Sequence, residues 1–190
     1  MSRVWRYVLA ADNGMAPCVH GGVLSLACCK PGIRKSAQTG DWVIGFMPKS
    51  YGRGLVAWAG EVDEVVKLGA YQKRHPQRPD AIYRLDGHTT EGAEILTPLR
   101  HDYHCDGVSR GRDKRGRNAV LFKRFWYWGG QPVAAPEEIA ELAHYFVGQS
   151  SAGSSPEMVD RLSNWLMSVA TPGAHGSPRD QRLTRSMSRC

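Results

Sequence analysis

Residues 40–66, GDWVIGFMPKSYGRGLVAWAGEVDEVV, constrain the fold of this chain more than any other stretch. A run of strand formers, DWVIGFM, begins straight after a Thr39–Gly40 turn, and a second run follows a turn rich in glycine, lysine and tyrosine. Residues 41–66 therefore read as a β-hairpin. Its second arm is long for one flat strand, and Gly60 is where a bulge or sharp bend is expected.

Other short strands surround it. RVWRYVLA (3–10) is halted by the turn residues ADNG, and GVLSLACC (22–29) lies between Gly21–Gly22 and Pro31. AIYRLDG (81–87) and NAVLFKRFWYWGG (118–130) add more, while 67–80 suits a short helix and a loop. In the last run, alternation puts Trp126 and Trp128 on one face and Tyr127 on the other. The thirty residues from His88 to Arg117 show no clear period and read as a loop that is either functional or disordered.

After Pro136 the pattern becomes helical. Ile139, Leu142, Ala143 and Phe146 share a face, and Met158, Leu162, Trp165, Leu166 and Val169 make a second, opened by Ser154, Pro156 and Glu157. Strands followed by helices near 136–148 and 155–170 define an α+β class. Consecutive strands with short turns favour antiparallel pairing, and closure removes exposed edges, so a small, mostly antiparallel β-barrel with the helices packed outside is expected. A length of 190 residues suits one domain, placed at 1–172, with 173–190 as a basic flexible tail.

The formal charge of +7 favours a polyanionic partner. It is concentrated in SRGRDKRGRN (109–118), with five cations against one acid, and in the last fourteen residues, with four against one. Arg110, Arg112, Lys114, Arg115 and Arg117 are the candidates for phosphate contact, on what reads as a mobile loop. No apolar run reaches the roughly 18 residues of a membrane span, and the opening residues lack the apolar core of a signal peptide, so a cytoplasmic protein is expected. Five cysteines, two of them adjacent, make a disulfide framework unlikely by count alone.

Nucleotide-cradling glycine motifs are absent: neither GxxxxGK[ST] nor GxGxxG occurs. His101, His104 and Cys105 with Cys28 or Cys29 offer zinc-type donors, yet their spacing matches no standard finger, and no metal or cofactor is expected. Cys29 beside Lys30, with His101 or His104 brought near, would make a thiolate nucleophile; against this stands the plain reading of Cys29 as a buried spacer. An aromatic on the wet face beside cations would stack a base while the cations hold its phosphates.

The segments Asp12-x-Gly14-x-Ala16-Pro17, Cys29-Lys30-Pro31-x-Ile33-Arg34 and Gly40-Asp41-Trp42 together resemble the family called nucleotide modification associated domain, type 2. The likeness is specific over the first forty-odd residues and looser through His101, Asp102 and 118–130. The hairpin is more distantly similar to PUA-like and EVE-type domains, small barrels that bind RNA or flipped modified bases. These resemblances imply a nucleic-acid or nucleotide binding module, its partner DNA with a modified base. The pocket expected from them is bordered by Asp12, Asn13, Pro17, Lys30, Arg34, Trp42, His101, Asp102 and His104. The alternative is an enzyme of a base-modification pathway acting through Asp12, His101, His104 or Cys29. A third reading is a partner subunit whose C-terminal helices dock elsewhere.

Overall fold

The computed structural model describes residues 2–99, 103–104, 106–143, 148–152 and 154–180. Thirteen strands and five α-helices occur among them: β1 Val4–Val8, β2 Cys18–His20, β3 Val23–Leu26, α1 Pro31–Ser36, β4 Trp42–Phe46, β5 Leu55–Glu61, β6 Glu64–Lys67, α2 Leu68–Arg74, β7 Tyr83–His88, β8 Glu94–Pro98, α3 Gly107–Gly116, β9 Asn118–Phe122, β10 Arg124–Tyr127, β11 Val133–Ala134, α4 Glu137–Ala140, β12 Gln149–Ser150, α5 Pro156–Val169 and β13 Gly173–Ala174. The class is α+β, with mostly antiparallel pairing.

The expected hairpin is present: β4 pairs antiparallel with β5, with a register shift at Gly45/Phe46. Its long second arm divides, though not at Gly60. The break falls at Val62–Asp63, and β6 leaves for another sheet. The 118–130 run divides likewise at Lys123, so that β9 lies in the sheet β2-β3-β9-β6 and β10 in the sheet β12-β1-β4-β5-β10-β13, where β11 also pairs β5. Two chain segments, each passing from one sheet to the other, tie these two sheets together.

One expectation is corrected and one is borne out. The described pairings form three separate sheets, β7–β8 being the third, and no closed barrel is formed among them. Pairing is mostly antiparallel as expected, with two exceptions, β1 running parallel to β4 and β10 parallel to β13. In both cases the intervening chain crosses over before returning, which no turn signal announces.

Alternation along β10 behaves as expected. Phe125 and Tyr127 enter one apolar core with Leu24, Leu26, Tyr71 and Phe122, while Trp126 and Trp128 enter a second, where Leu162 and Leu166 of α5 cover Trp42, Ile44 and Phe46. The larger sheet is thus buried on both faces. All four aromatics of 125–128 are buried, so none is free to stack a base. The helix of 155–170 is confirmed as α5, capped by Ser155 rather than Ser154: the Ser155 hydroxyl accepts from Met158 N at 3.2 Å, while Ser154 Oγ accepts from Val4 N at 2.9 Å. Of the first C-terminal helix, α4 is one short turn, and Phe146 lies outside the described residues.

The basic loop is the largest local departure. Residues 107–116 form α3, opened by Asp106, whose carboxylate accepts from Ser109 N at 2.8 Å. Its sequence, GVSRGRDKRG, has no amphipathic stripe, so tertiary anchoring must hold it. The anchors are Asp113 and Gly116, both buried; a Cβ at Gly116 would sit 2.7 Å from Arg34 Cζ, so the helix packs backbone-close on that side chain. Within residues 173–180, placed by sequence in a flexible tail, Gly173–Ala174 pair as β13 with β10, and the chain bonds onward: Asp180 N donates to Asp12 O at 2.7 Å, and Arg179 Nη2 to Ala10 O at 2.8 Å.

A buried polar network ties α2 and the loop after it to β2 and β3. Arg78 donates to Tyr71 OH (2.7 Å), His20 O (2.7 Å), Cys18 O (3.1 Å) and Ser25 Oγ (2.8 Å), and pairs with Asp80 at 3.4 Å.

Candidate functional site

The chemistry gathers where β3 turns into α1. Cys29 and Lys30 both take left-handed backbone angles (φ 54° and 41°), which cost non-glycine residues energy and persist only when the surroundings over-determine them. Here they do. Cys29 N donates to Asp113 Oδ1 at 2.6 Å, and its carbonyl accepts from Arg34 Nη1 at 2.8 Å. Arg34 also donates to the carbonyls of Asn118 (2.7 Å) and Asp113 (2.9 Å).

Arg34 is therefore corrected from pocket cation to interior strut: it is fully buried and its donors are taken. Trp42 is corrected too, being buried in the second core and stacked on Trp126. Pro17 is buried after a cis Ala16–Pro17 bond, and Asn13 is half-buried, its Oδ1 accepting from Met15 N at 3.2 Å. His101 and Asp102 lie outside the described residues, as does Cys105.

His104 is brought to Cys29. Its Nε2 stands 3.4 Å from Cys29 Sγ, while its Nδ1 bonds Asp113 Oδ2 at 2.6 Å. Asp113 also accepts from Tyr83 OH at 2.7 Å and faces Arg34 at 3.8 Å. Tyr103 stacks on His104 with ring centroids 4.0 Å apart, and its hydroxyl is 3.6 Å from Cys29 Sγ. Sequence reasoning named Cys29 and His104 but missed Asp113, which was counted only as the lone acid of a basic loop.

The electrostatics of the set are opposed in sign. Burial disfavours ionisation of Cys29, yet the hydrogen bond and charge of His104 outweigh it and hold the thiol below its ordinary value. Burial likewise disfavours charge on His104, but Asp113 and then Cys29 raise it to about 9. The pair thus favours thiolate and imidazolium. By contrast, burial pushes the fully buried Cys28 thiol up and Cys18 up to about 12. The donor atoms of Cys29, His104 and Asp113 lie within 4.8 Å of one another, a span that one ion could bridge. Nδ1 and Oδ2 are already bonded to each other, however, so the arrangement is that of a hydrogen-bonded triad.

A stability consequence follows from His104. Its folded value exceeds the ordinary 6.5, so the stabilisation is fully present below about pH 6.5 and lost as pH rises through about 9. The thermal midpoint of the native chain should fall over that interval by more than that of His104→Gln, as followed by circular dichroism; equal slopes would contradict the assignment.

Lys30 is half-buried, with Nζ 4.1 Å from the Tyr7 ring centroid. Burial lowers its pKa, Cys29 opposes this, and Arg112 adds to it, so all three groups are near one another. The basic residues of α3 divide accordingly. Arg110 Nε donates to His104 O at 3.1 Å, and Arg112 is exposed beside Lys30. Exposed Lys114 and Arg117 border a cleft of about 440 Å³ with Lys67, His88 and Glu94. Arg115 is exposed as well. Asp12 is buried at 1% exposure, with Oδ2 accepting from Tyr127 OH at 2.8 Å and Oδ1 without a hydrogen-bond partner among the described residues. Burial raises its pKa against the pull of Tyr127 and Arg179.

Fold and site together define an α+β domain that carries a pinned cysteine under a strongly basic helix. Against family descriptions, the model of nucleotide modification associated domain 2 matches residues 1–185. The chain belongs to that family. No curated protein matches it. Among solved structures, the crystal structure of ASCH from Zymomonas mobilis is similar at 10% identity over 91% of this chain and 99% of that one, with a TM-score of 0.37, too slight a likeness to carry an argument. No helix among the described residues is long and apolar enough to cross a membrane.

Proposed function

We propose that this protein binds a nucleotide or nucleic acid carrying a modified base, DNA being the form favoured. One observation carries the reading. The helix that presents Arg112, Lys114 and Arg115 to solvent, with Arg117 just past its end, also supplies Asp113 to the pinned turn at Cys29–Lys30, so phosphate attraction and a polar recess share one element. Cations on a rigid helix hold phosphates at fixed spacing. In this reading Asp12, whose buried Oδ1 has no partner among the described residues, accepts from a base N–H, and Lys30 and the Tyr103–His104 stack border the base. The membership in a nucleotide-modification family supports the ligand class.

Titration of labelled single- and double-stranded DNA across a salt series tests this. Four phosphate contacts give a slope of log affinity against log salt of about −3.6 on duplex and about −2.8 on single-stranded DNA. Reversing Arg112 and Arg115 to glutamate should flatten that slope and weaken binding about tenfold or more, at every sequence alike. Salt-independent affinity, or no affinity for any DNA, RNA or nucleotide, would overturn the reading.

A further inference from the structure

The geometry points to a catalytic role for Cys29: it is the nucleophile of a Cys29–His104–Asp113 triad that hydrolyses an acyl ester or amide. This goes beyond ligand binding and does not depend on it. Nucleophile, base and orienting carboxylate stand in one line, Sγ to Nε2 at 3.4 Å and Nδ1 to Oδ2 at 2.6 Å, which is the relation that defines such triads whatever the fold. The three residues come from three places, the β3–α1 turn, the segment before α3, and α3 itself. Two left-handed residues in succession lift Cys29 out of the strand, and bonds to Asp113 and Arg34 fix its backbone on both sides. A cysteine serving only as filler needs none of this.

The neighbouring cysteines sharpen the point. Cys18 and Cys28 are buried, whereas Cys29 is half-buried and is the one of the three facing a histidine. The groups acting on it are His104, Tyr103 and Asp113, with Lys30, Arg34, Tyr7 and Cys28 around them. Tyr103 bonds the sulfur and is itself held neutral, its own ionisation opposed by burial and by the negative charge on Cys29, so it steadies the thiolate without competing for its proton.

The reaction balances with water alone. The Cys29 thiolate adds to the acyl carbon, forming the S–C bond while the carbonyl electrons move to oxygen, beside the positive charge of Lys30. Collapse breaks the bond to the leaving alcohol or amine, which takes the proton from His104 Nε2. Water then attacks the thioester and gives a proton to His104, the acid departs, and the thiolate is restored. Asp113 keeps Nε2 directed at the sulfur throughout.

The probes are iodoacetamide and p-nitrophenyl acetate, used on the full chain without nucleic acid, so that the outcome is independent of DNA binding. At pH 6, Cys29 should alkylate at least about tenfold faster than free cysteine, as read by peptide mass mapping, with Cys18 and Cys28 protected in the folded protein. His104→Gln, checked for folding by circular dichroism, should remove that excess and move the pH profile upward. p-Nitrophenyl acetate should give a burst of nitrophenol and an acetylated Cys29 peptide, both absent in Cys29→Ser. Alkylation no faster than free cysteine with a profile unmoved by His104→Gln would overturn the proposal. So would stoichiometric zinc whose removal is needed before Cys29 reacts, which would make the site a metal centre.

Discussion

Asp113→Ala should lower the thermal midpoint by about 10 °C, the largest effect expected from any single truncation near the site. The carboxylate is fully buried and accepts from Cys29 N, Tyr83 OH and His104 Nδ1 while facing buried Arg34. Removing one partner of a buried charged cluster leaves the other uncompensated, at roughly 3–5 kcal/mol. For a chain of this size about 2–4 °C accompanies each kcal/mol. The helix should suffer with it, because α3 has no apolar stripe of its own and Asp113 is one of its two buried anchors. Hydrogen exchange across 107–116 should therefore accelerate in the variant. A midpoint within about 2 °C of the native chain, with α3 still protected, would show that the helix is held some other way.

Arg78→Met should cost a similar amount, roughly 3–5 kcal/mol, in a separate polar network. Methionine retains the apolar stem but abandons Asp80, Tyr71 OH and the carbonyls of Cys18 and His20 in the interior. The double variant Arg78→Met with Asp80→Asn should recover part of the loss, since no unpaired charge is then buried. Denaturant unfolding of the four proteins in this cycle measures the coupling; strict additivity would mean that Arg78 and Asp80 act separately.

Several parts of this structure were legible in the residue order. The hairpin of β4 and β5, the two-faced aromatic run at 125–128, and the amphipathic α5 all follow from periods of two and 3.6 together with turn residues. The Thr39–Gly40 turn that opens β4 was legible too, and Asp41 ties it by accepting from Gln38 N at 3.0 Å, as well as from Arg3 N at 2.9 Å. The fates of Arg34 and of α3 were not. An arginine after Lys30 has the same appearance in sequence whether it meets a phosphate or three backbone carbonyls, and a helix without apolar periodicity leaves no period to detect.

The sequence by itself determined the α+β class, the family and the excess of positive charge, because local propensity, turn chemistry and motif spacing act over a few residues and need no knowledge of the rest. Only the tertiary structure decided the parallel pairings, the division of two long strands between sheets, and the meeting of Cys29 with His104 and Asp113 across 75 and 84 positions. Those meetings depend on which distant segments can share a buried space. In that space a carboxylate must find donors, so the lone acid of a basic helix turned inward and set the geometry of the cysteine.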